Sequence, residues 1–251
     1  QAKTLCPALI LVPVNKKKYA DESEKIMTYL SGFTPLMEQV SVDEAYMDVT
    51  GCTRLFGGYQ EIAARIKQGI RDHFDLACSV GAAPVKFLAK IASDMDKPDG
   101  LVIIEPESAE EFAHSLAIEK IPGVGKSALS RLQPLNIRKL GDVKKFDTST
   151  LSAKLGGFGL KLADCADLKD SKVQGNENRK SVSGESTLPE DTSDIHIMKK
   201  YLLHHANSIA RSLRKKNLGF STLSIKIKFS DFSCLTRQKP YRPSSFSGTS
   251  I

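Results

Sequence analysis

No run of apolar residues in this chain of 251 approaches the ~20 needed to cross a membrane as a helix. The amino terminus also lacks the charged segment and apolar block of a secretory signal. Both absences point to a soluble, cytoplasmic protein. Cysteine is sparse: Cys6, Cys52, Cys78, Cys165 and Cys234 are scattered, with no Cys-x-x-Cys or Cys-His cluster. An odd, dispersed set argues against a disulfide framework and leaves reduced packing residues rather than ligands. The first residue is Gln, not Met, and Leu5 to Val14 reads as an apolar strand or loop with two prolines and no acidic residue. The chain is therefore expected to begin mid-domain.

The length exceeds what one hydrophobic core usually spans and suggests about two compact units. Net charge is +7 and uneven: residues 1–105 carry 12 basic and 14 acidic side chains, whereas residues 182–251 carry 11 basic and 5 acidic. A basic excess at the carboxyl end suits a polyanion such as nucleic acid, or a membrane surface.

The stretch SVDEAYMDVT, residues 41–50, is the most informative. With Val40 before it, Val42, Ala45, Tyr46, Met47 and Val49 supply the content of a buried strand, yet Asp43 and Glu44 stand side by side within it. An unpaired buried carboxylate is costly and protonates or recruits a cation, so a metal ion is one partner and a solvated acidic turn the alternative. Residues 35–42 and 44–50 read as two strands of a hairpin. That places Asp43 and Glu44 at or beside the turn, where both can face one ligand.

Around this hairpin the pattern predicts helices and further strands. Asp21 to Glu24 suits a helix amino terminus, with Ile26, Tyr29, Leu30 and Phe33 following and Lys16, Lys17 and Lys18 just outside. Phe56-Gly57-Gly58 turns into an amphipathic helix with Ile62, Ile66 and Ile70 in the core. Leu76 to Ala82 reads as a strand, and Pro84 as the first residue of a helix burying Phe87, Leu88, Ile91 and Met95. Lys86, Lys90 and Lys97 lie on or just past that helix, from which a lysine could reach something bound above the sheet, although solvated lysines on a surface helix explain the pattern by itself as well. With a strand at Leu101 to Ile104, this is an α+β layer on a mixed sheet.

Helical composition begins at Glu107, which marks a boundary near Pro106. In IPGVGKSALSRL, residues 121–132, Gly123 and Gly125 bracket a tight turn around Val124. Several backbone N–H groups can face outward there beside Lys126. The spacing is that of a helix-hairpin-helix, which resembles modules that hold one DNA strand by its backbone, with an ordinary helical turn as the alternative. Ile137 to Phe146, Thr148 to Leu155 and Gly159 to Leu168 continue as short helices. Residues 171–181 read as a polar linker. A second α+β domain follows: a strand at Val182 to Leu188, a helix from Asp191 to Lys216, and a strand at Thr222 to Phe229. In that last strand Leu223, Ile225, Ile227 and Phe229 face a core and Lys226 and Lys228 the other side. This small sheet is expected to be incomplete.

SVDEAYMDVTG, SVGAAPVKFLAKIASDMDKPDGL, IPGVGK and RKSVSGE, in this order, resemble the Y-family translesion DNA polymerases of the bacterial DNA polymerase IV type. The likeness runs from about Leu5 to Arg237. It implies a remnant of fingers at 1–13, a palm at 14–105, a helical thumb with its helix-hairpin-helix at 106–170, a linker at 171–181 and an incomplete little finger at 182–251. It also implies that Asp43 and Glu44 are catalytic and hold magnesium, and that Lys97 and Lys90 bind the incoming deoxynucleoside triphosphate. Gly123, Val124, Gly125, Lys126, Arg179, Lys180, Lys226 and Lys228 are the implied contacts to primer-template DNA. The family's further metal-binding aspartate, its aromatic gate and its triphosphate-gripping fingers residues have no counterpart in these residues, and no tail for a sliding clamp is visible. Asn136 stands where the family usually turns on glycine.

The expectation is thus a monomeric, cytoplasmic, template-directed DNA polymerase acting in damage tolerance and DNA repair, present here as a truncated and poorly active form. A non-catalytic, sequence-independent DNA-binding protein is the main alternative. A nucleotidyl cyclase on a similar palm is a third, though it would not need the thumb hairpin.

Overall fold

The computed structural model describes residues 2–175 and 180–241. The chain divides into two compact units, Gln1–Glu177 and Asn178–Ile251. In the first, one helical turn, α1 (Ala2–Leu5), leads into irregular, exposed chain up to Val14. Pro7 and Pro13 remove two ladder donors, so this stretch is the loop rather than the strand. Helix α2 (Lys16–Ser31) begins earlier than its acidic cluster suggests. The Asn15 side chain accepts from the Lys18 N–H at 3.0 Å, which makes the three lysines the first turn of the helix. A good side-chain cap prevails over an unfavourable charge at that end.

Strands β1 (Met37–Gln39) and β2 (Ala45–Met47) form the anticipated antiparallel hairpin, with Glu38 opposite Tyr46. It is shorter than expected, and Val40 and Val42 are exposed in the wide connection rather than buried in a strand. A short helix, α3 (Thr53–Phe56), precedes α4 (Tyr59–Phe74). Ile62, Ile66 and Ile70 are buried as their spacing requires, against Ile26, Tyr29 and Leu30 of α2 and Met47 of β2.

Strand β3 (Val80–Ala82) pairs in parallel with β4 (Leu101–Ile103) across the connecting helix α5 (Lys86–Met95). A Cβ at Gly81 would come within 2.2 Å of the Ala89 carbonyl oxygen. Glycine is what permits this close approach of strand and helix backbones. Pro84 lies ahead of the helix rather than at its first position, because Val85, in extended conformation, is the N-cap. Phe87, Leu88 and Ile91 are buried, but Met95 is exposed at the end of the helix. The α+β class holds, while the expected mixed sheet is split: with three residues per strand, β1–β2 and β3–β4 are separate ladders.

Pro106 opens α6 (Pro106–Ser115), followed by α7 (Lys126–Leu132), α8 (Thr148–Leu155) and α9 (Gly157–Ala166). Residues 137–146 are not an α-helix: an Ala117–Lys139 bridge holds the start extended, and Leu140–Lys145 winds as a 3-10 helix. Asn136 turns the chain with φ 54°, the left-handed conformation that asparagine tolerates. Leu88 and Ile91 of α5 share one hydrophobic cluster with Leu132, Leu140, Leu151 and Leu162. Packing therefore runs through the boundary expected at Pro106.

In the second unit Asp194 caps α10 (Ile195–Lys215), its side chain accepting from the His196 N–H at 2.7 Å. Strands β5 (Thr222–Lys228) and β6 (Cys234–Pro240) pair antiparallel. The alternation of the sequence did not signal β6. The expected strand Val182–Leu188 has no ladder partner among the described residues. Leu223, Ile225 and Ile227 share a face but remain 43%, 40% and 37% exposed, so the described residues do not form the core expected on that face. Two strands alone cannot bury a sheet face. All five cysteines are free, and Cys6 and Cys234 are exposed rather than packed.

Candidate active site

The hairpin connection between β1 and β2 carries the two carboxylates. The Val40 and Ser41 N–H groups donate to the Glu44 carbonyl at 2.9 and 3.3 Å. The Gln39 side-chain amide donates to the Ser41 carbonyl at 2.9 Å. Within the turn, the Ser41 hydroxyl donates to Asp43 Oδ1 and accepts from the Asp43 N–H. Local hydrogen bonding of this kind lets a polar turn replace regular ladder. Asp43 is exposed and Glu44 half-buried, which satisfies neither extreme considered from the sequence: the pair is not buried in a strand, and Glu44 is not freely solvated.

Glu44 is instead paired with Lys90 of α5, 46 positions away. Lys90 also reaches Asp94 at 3.4 Å, and Asp94 accepts from Lys97 at 2.6 Å. Four groups thus alternate in sign, Glu44, Lys90, Asp94 and Lys97, joining the carboxylate motif to the lysine motif. The hydrogen bond from Lys90 to Glu44 is the largest influence raising the Lys90 pKa above its usual value. The Lys97 ammonium likewise holds the Asp94 carboxyl below the ordinary range. The sequence pattern did not single out Asp94, although its spacing of four from Lys90 on one helix is a readable signal, with Lys97 just past the helix end.

A second link between hairpin and helix lies alongside. Glu38 of β1 accepts from Lys86 Nζ at 2.8 and 3.0 Å, and that ammonium stands 4.8 Å from the centroid of the Tyr46 ring. Burial raises the Tyr46 phenol pKa. Lys86 is therefore committed to structure, while Lys97 is exposed at the helix end.

Asp43 and Glu44 offer carboxylate oxygens, the donor type suited to a hard divalent cation. Asp43 is accessible, and Glu44 already holds a positive charge in the Lys90 ammonium. By donor type the two residues suit such a cation, with the Lys90 ammonium as the positive charge that Glu44 now holds. Among the described residues, however, no group of three or more His, Cys, Asp and Glu side chains is gathered closely enough to enclose a metal.

The turn at residues 121–126 stands apart from this network. Pro122 and Gly123 occupy the centre of a turn closed by the Val124 N–H donating to the Ile121 carbonyl at 3.0 Å. Gly123 has φ 91°, the positive value required at that corner. Ile121 and Val124 are buried beneath, whereas Gly123, Gly125 and Lys126 are exposed. A 3-10 turn, not an α-helix, immediately precedes the hairpin, and α7 has only seven residues. The hairpin presents exposed backbone at Gly123 and Gly125 and the Lys126 side chain, rather than a long helix dipole. Lys180, Lys226 and Lys228 are exposed in the second unit, and Arg179 lies outside the described residues. No described helix is long and apolar enough to cross a membrane.

A hairpin bearing adjacent carboxylates is tied by ion pairs to a helix bearing lysines, and comparison with known proteins shows the family of this chain. Residues 1–94 match the impB/mucB/samB family and residues 179–250 match the C-terminal domain of that family. The chain is 39% identical over 240 residues to DNA polymerase IV of Methanoculleus marisnigri, covering 95% of this chain and 66% of that protein. It is 38% identical over 249 residues to DNA polymerase IV of Actinobacillus pleuropneumoniae, covering 95% and 69%. Among solved structures, a Y-family DNA polymerase chimera of Dbh and Dpo4 superposes with TM-score 0.89 at 32% identity, covering 99% of this chain and 72% of that one. An insertion ternary complex of Dbh DNA polymerase gives 0.70 at 30% identity, with coverage of 99% and 72%. The chain belongs to the impB/mucB/samB family, the Y-family DNA polymerases of the DNA polymerase IV type. It spans about two thirds of the length of the curated relatives it matches.

Proposed function

We propose that this chain carries the nucleotidyl-transfer centre of a translesion DNA polymerase, which extends a primer with deoxynucleoside triphosphates on template DNA during damage tolerance and repair. The observation that supports it is the network Glu44, Lys90, Asp94 and Lys97, which joins acidic and basic motifs 46 positions apart in the sequence. A purely DNA-binding protein would use the hairpin and the surface lysines but has no use for that pairing.

In this reading Asp43 and Glu44 hold magnesium, which when bound lowers the pKa of the primer 3′ hydroxyl and neutralises charge on the reacting phosphates. Lys97 binds the triphosphate, exchanging its Asp94 partner for phosphate oxygens, and Lys90 holds Glu44 in place until the site is loaded. The Gly123–Lys126 hairpin, with Arg179, Lys180, Lys226 and Lys228, grips DNA by its backbone. Such contacts position a duplex without reading its sequence. The segments 14–105, 106–170, 171–181 and 182–251 are then palm, thumb, linker and little finger. The enzyme works in the cytoplasm as a monomer.

Primer extension tests this. The 251 residues assayed by themselves are expected to extend weakly, because magnesium sheds water reluctantly and two carboxylates hold it poorly. Joined to the aspartate-bearing strand and fingers of a DNA polymerase IV relative, they should extend in a magnesium-dependent way. Robust extension by the 251 residues alone would sink the count of ligands. Full activity after Asp43→Ala or Glu44→Ala in the joined form would sink the assignment of the carboxylates.

A further inference from the structure

The chain that follows α9 turns back onto the two elements that carry the reacting groups. Helix α5 lacks a cap of its own: Val85 makes no side-chain hydrogen bond, and the first turn has no acidic residue. The missing acceptor is supplied by Asp170, 83 positions later, whose Oδ2 accepts from the Phe87 N–H at 2.8 Å. Ser171 Oγ lies 3.4 Å from Lys86 Nζ, and the Gln174 N–H donates to Glu38 Oε2 at 2.9 Å. Burial by itself would raise the Glu38 pKa, but the bonds from Gln174 and Lys86 prevail and lower it.

These contacts fall on one side of a two-runged ladder. Glu38–Lys86 and Glu44–Lys90 both tie the β1–β2 hairpin to α5, one helical turn apart. Residues 170–174 close the rung farther from the reacting carboxylates, through Glu38 on the hairpin and through the amino terminus of α5. A solvated linker would make no such set of bonds to charged partners, which are among the stronger hydrogen bonds in proteins.

We propose that residues 170–174 form a strap that sets the geometry of the active-site hairpin against α5, with Asp170 and Glu38 as positioning residues. What the strap serves rests on the polymerase reading; the strap itself rests on its contacts.

Asp170→Asn and Glu38→Gln loosen it from opposite ends, and Asp170→Glu keeps the carboxylate. In the 251-residue chain, amide exchange followed by NMR should quicken about tenfold or more at Phe87 in Asp170→Asn and at Gln174 in Glu38→Gln. The loosening should spread to the Val40 and Ser41 amides that close the Glu44 turn, while Ile66 and Ile70 of α4 exchange as before. In the form that extends primers, kcat should fall about fivefold with the KM for DNA unchanged, and Asp170→Glu should recover most of it. Exchange that quickens only within the strap, or equally throughout α4, would overturn the proposal, since the contact would then serve the linker or the whole fold. An unchanged kcat in a working polymerase would overturn it as well. If the loosening spreads as described but no form of the protein extends primers, the strap stands and the polymerase reading falls.

Discussion

Leu88 on α5 is fully buried, while Ile225 on β5, drawn from an equally regular apolar pattern, is 40% exposed. The first unit lays α5 on β3, where Gly81 lets the backbones approach, and closes the same stripe with α6 to α9. In the second unit β5 pairs with β6, and both strands are exposed along their whole length. The contrast teaches that periodicity identifies residues sharing a face, whereas burial requires a second layer over that face. The ion pairs follow the same division: Glu38 and Glu44 meet Lys86 and Lys90 where hairpin and helix pack, and the lysines of β5 sit on a strand exposed along its whole length.

The largest expected effect is a chemical division between the units. Asp43→Ala or Glu44→Ala is expected to lower kcat on the order of 10²-fold or more while leaving DNA affinity nearly unchanged. Lys226→Ala with Lys228→Ala should do the reverse, weakening DNA binding and flattening its salt dependence by up to about two phosphate contacts. Titration of labelled primer-template at two ionic strengths, beside single-turnover extension, separates these outcomes.

Stability should divide next. Leu88→Ala is expected to cost about 2–5 kcal/mol, the range for a buried leucine whose cavity collapses only in part. Ile225→Ala should cost under about 1.5 kcal/mol, since much of that side chain already meets water. Urea unfolding read by circular dichroism measures both. Equal costs would mean that the β5 face is covered in solution, and the contrast between the units would be lost.

A smaller effect concerns the hairpin. Gly125 has ordinary extended dihedrals and nothing within 4 Å of a Cβ, whereas Gly123 has positive φ. Gly125→Val is thus expected to leave the melting temperature unchanged and weaken DNA binding roughly three- to tenfold, the equivalent of about 1 kcal/mol. Gly123→Val should weaken binding and also lower stability, by strain of order 1–3 kcal/mol. If Gly125→Val binds DNA as well as the parent, the exposed amides are not a phosphate site.

The smallest effect is acid sensitivity at Glu38. Its pKa is lowered in the folded state, so it contributes stability above its unfolded value near 4.5, and that contribution is lost as pH falls through the lower folded value. Glu38→Gln should flatten this acid limb by less than about 1 kcal/mol, as expected for a partly exposed pair. An unaltered pH profile would mean that the Lys86 and Gln174 bonds do not act on folding.

Much of the local structure was readable in advance. Adjacent carboxylates flanked by strand-forming residues placed Asp43 and Glu44 at a hairpin connection, the four-residue steps placed Ile62, Ile66 and Ile70 inside, and Gly123 with Gly125 marked a turn, which the structure centres on Pro122 and Gly123. Errors arose where one local signal competed with another. The acidic run Asp21–Glu24 suggested a helix start that the Asn15 cap moved forward to Lys16. The apolar content of Val40 and Val42 suggested strand where the Ser41 and Asp43 bonds made turn.

Residue order therefore establishes spacing, caps, turns and the family likeness, because each depends on atoms a few positions apart. It does not establish which charges meet. Glu44 takes Lys90, Glu38 takes Lys86 and the Gln174 amide, and Asp170 takes the Phe87 amide, across separations of 46, 48, 136 and 83 positions. Each carboxylate had many possible partners in the unfolded chain. The choice was made only when helices and hairpin packed, since a charge–charge contact a few ångströms long depends on distances that no sequence interval encodes.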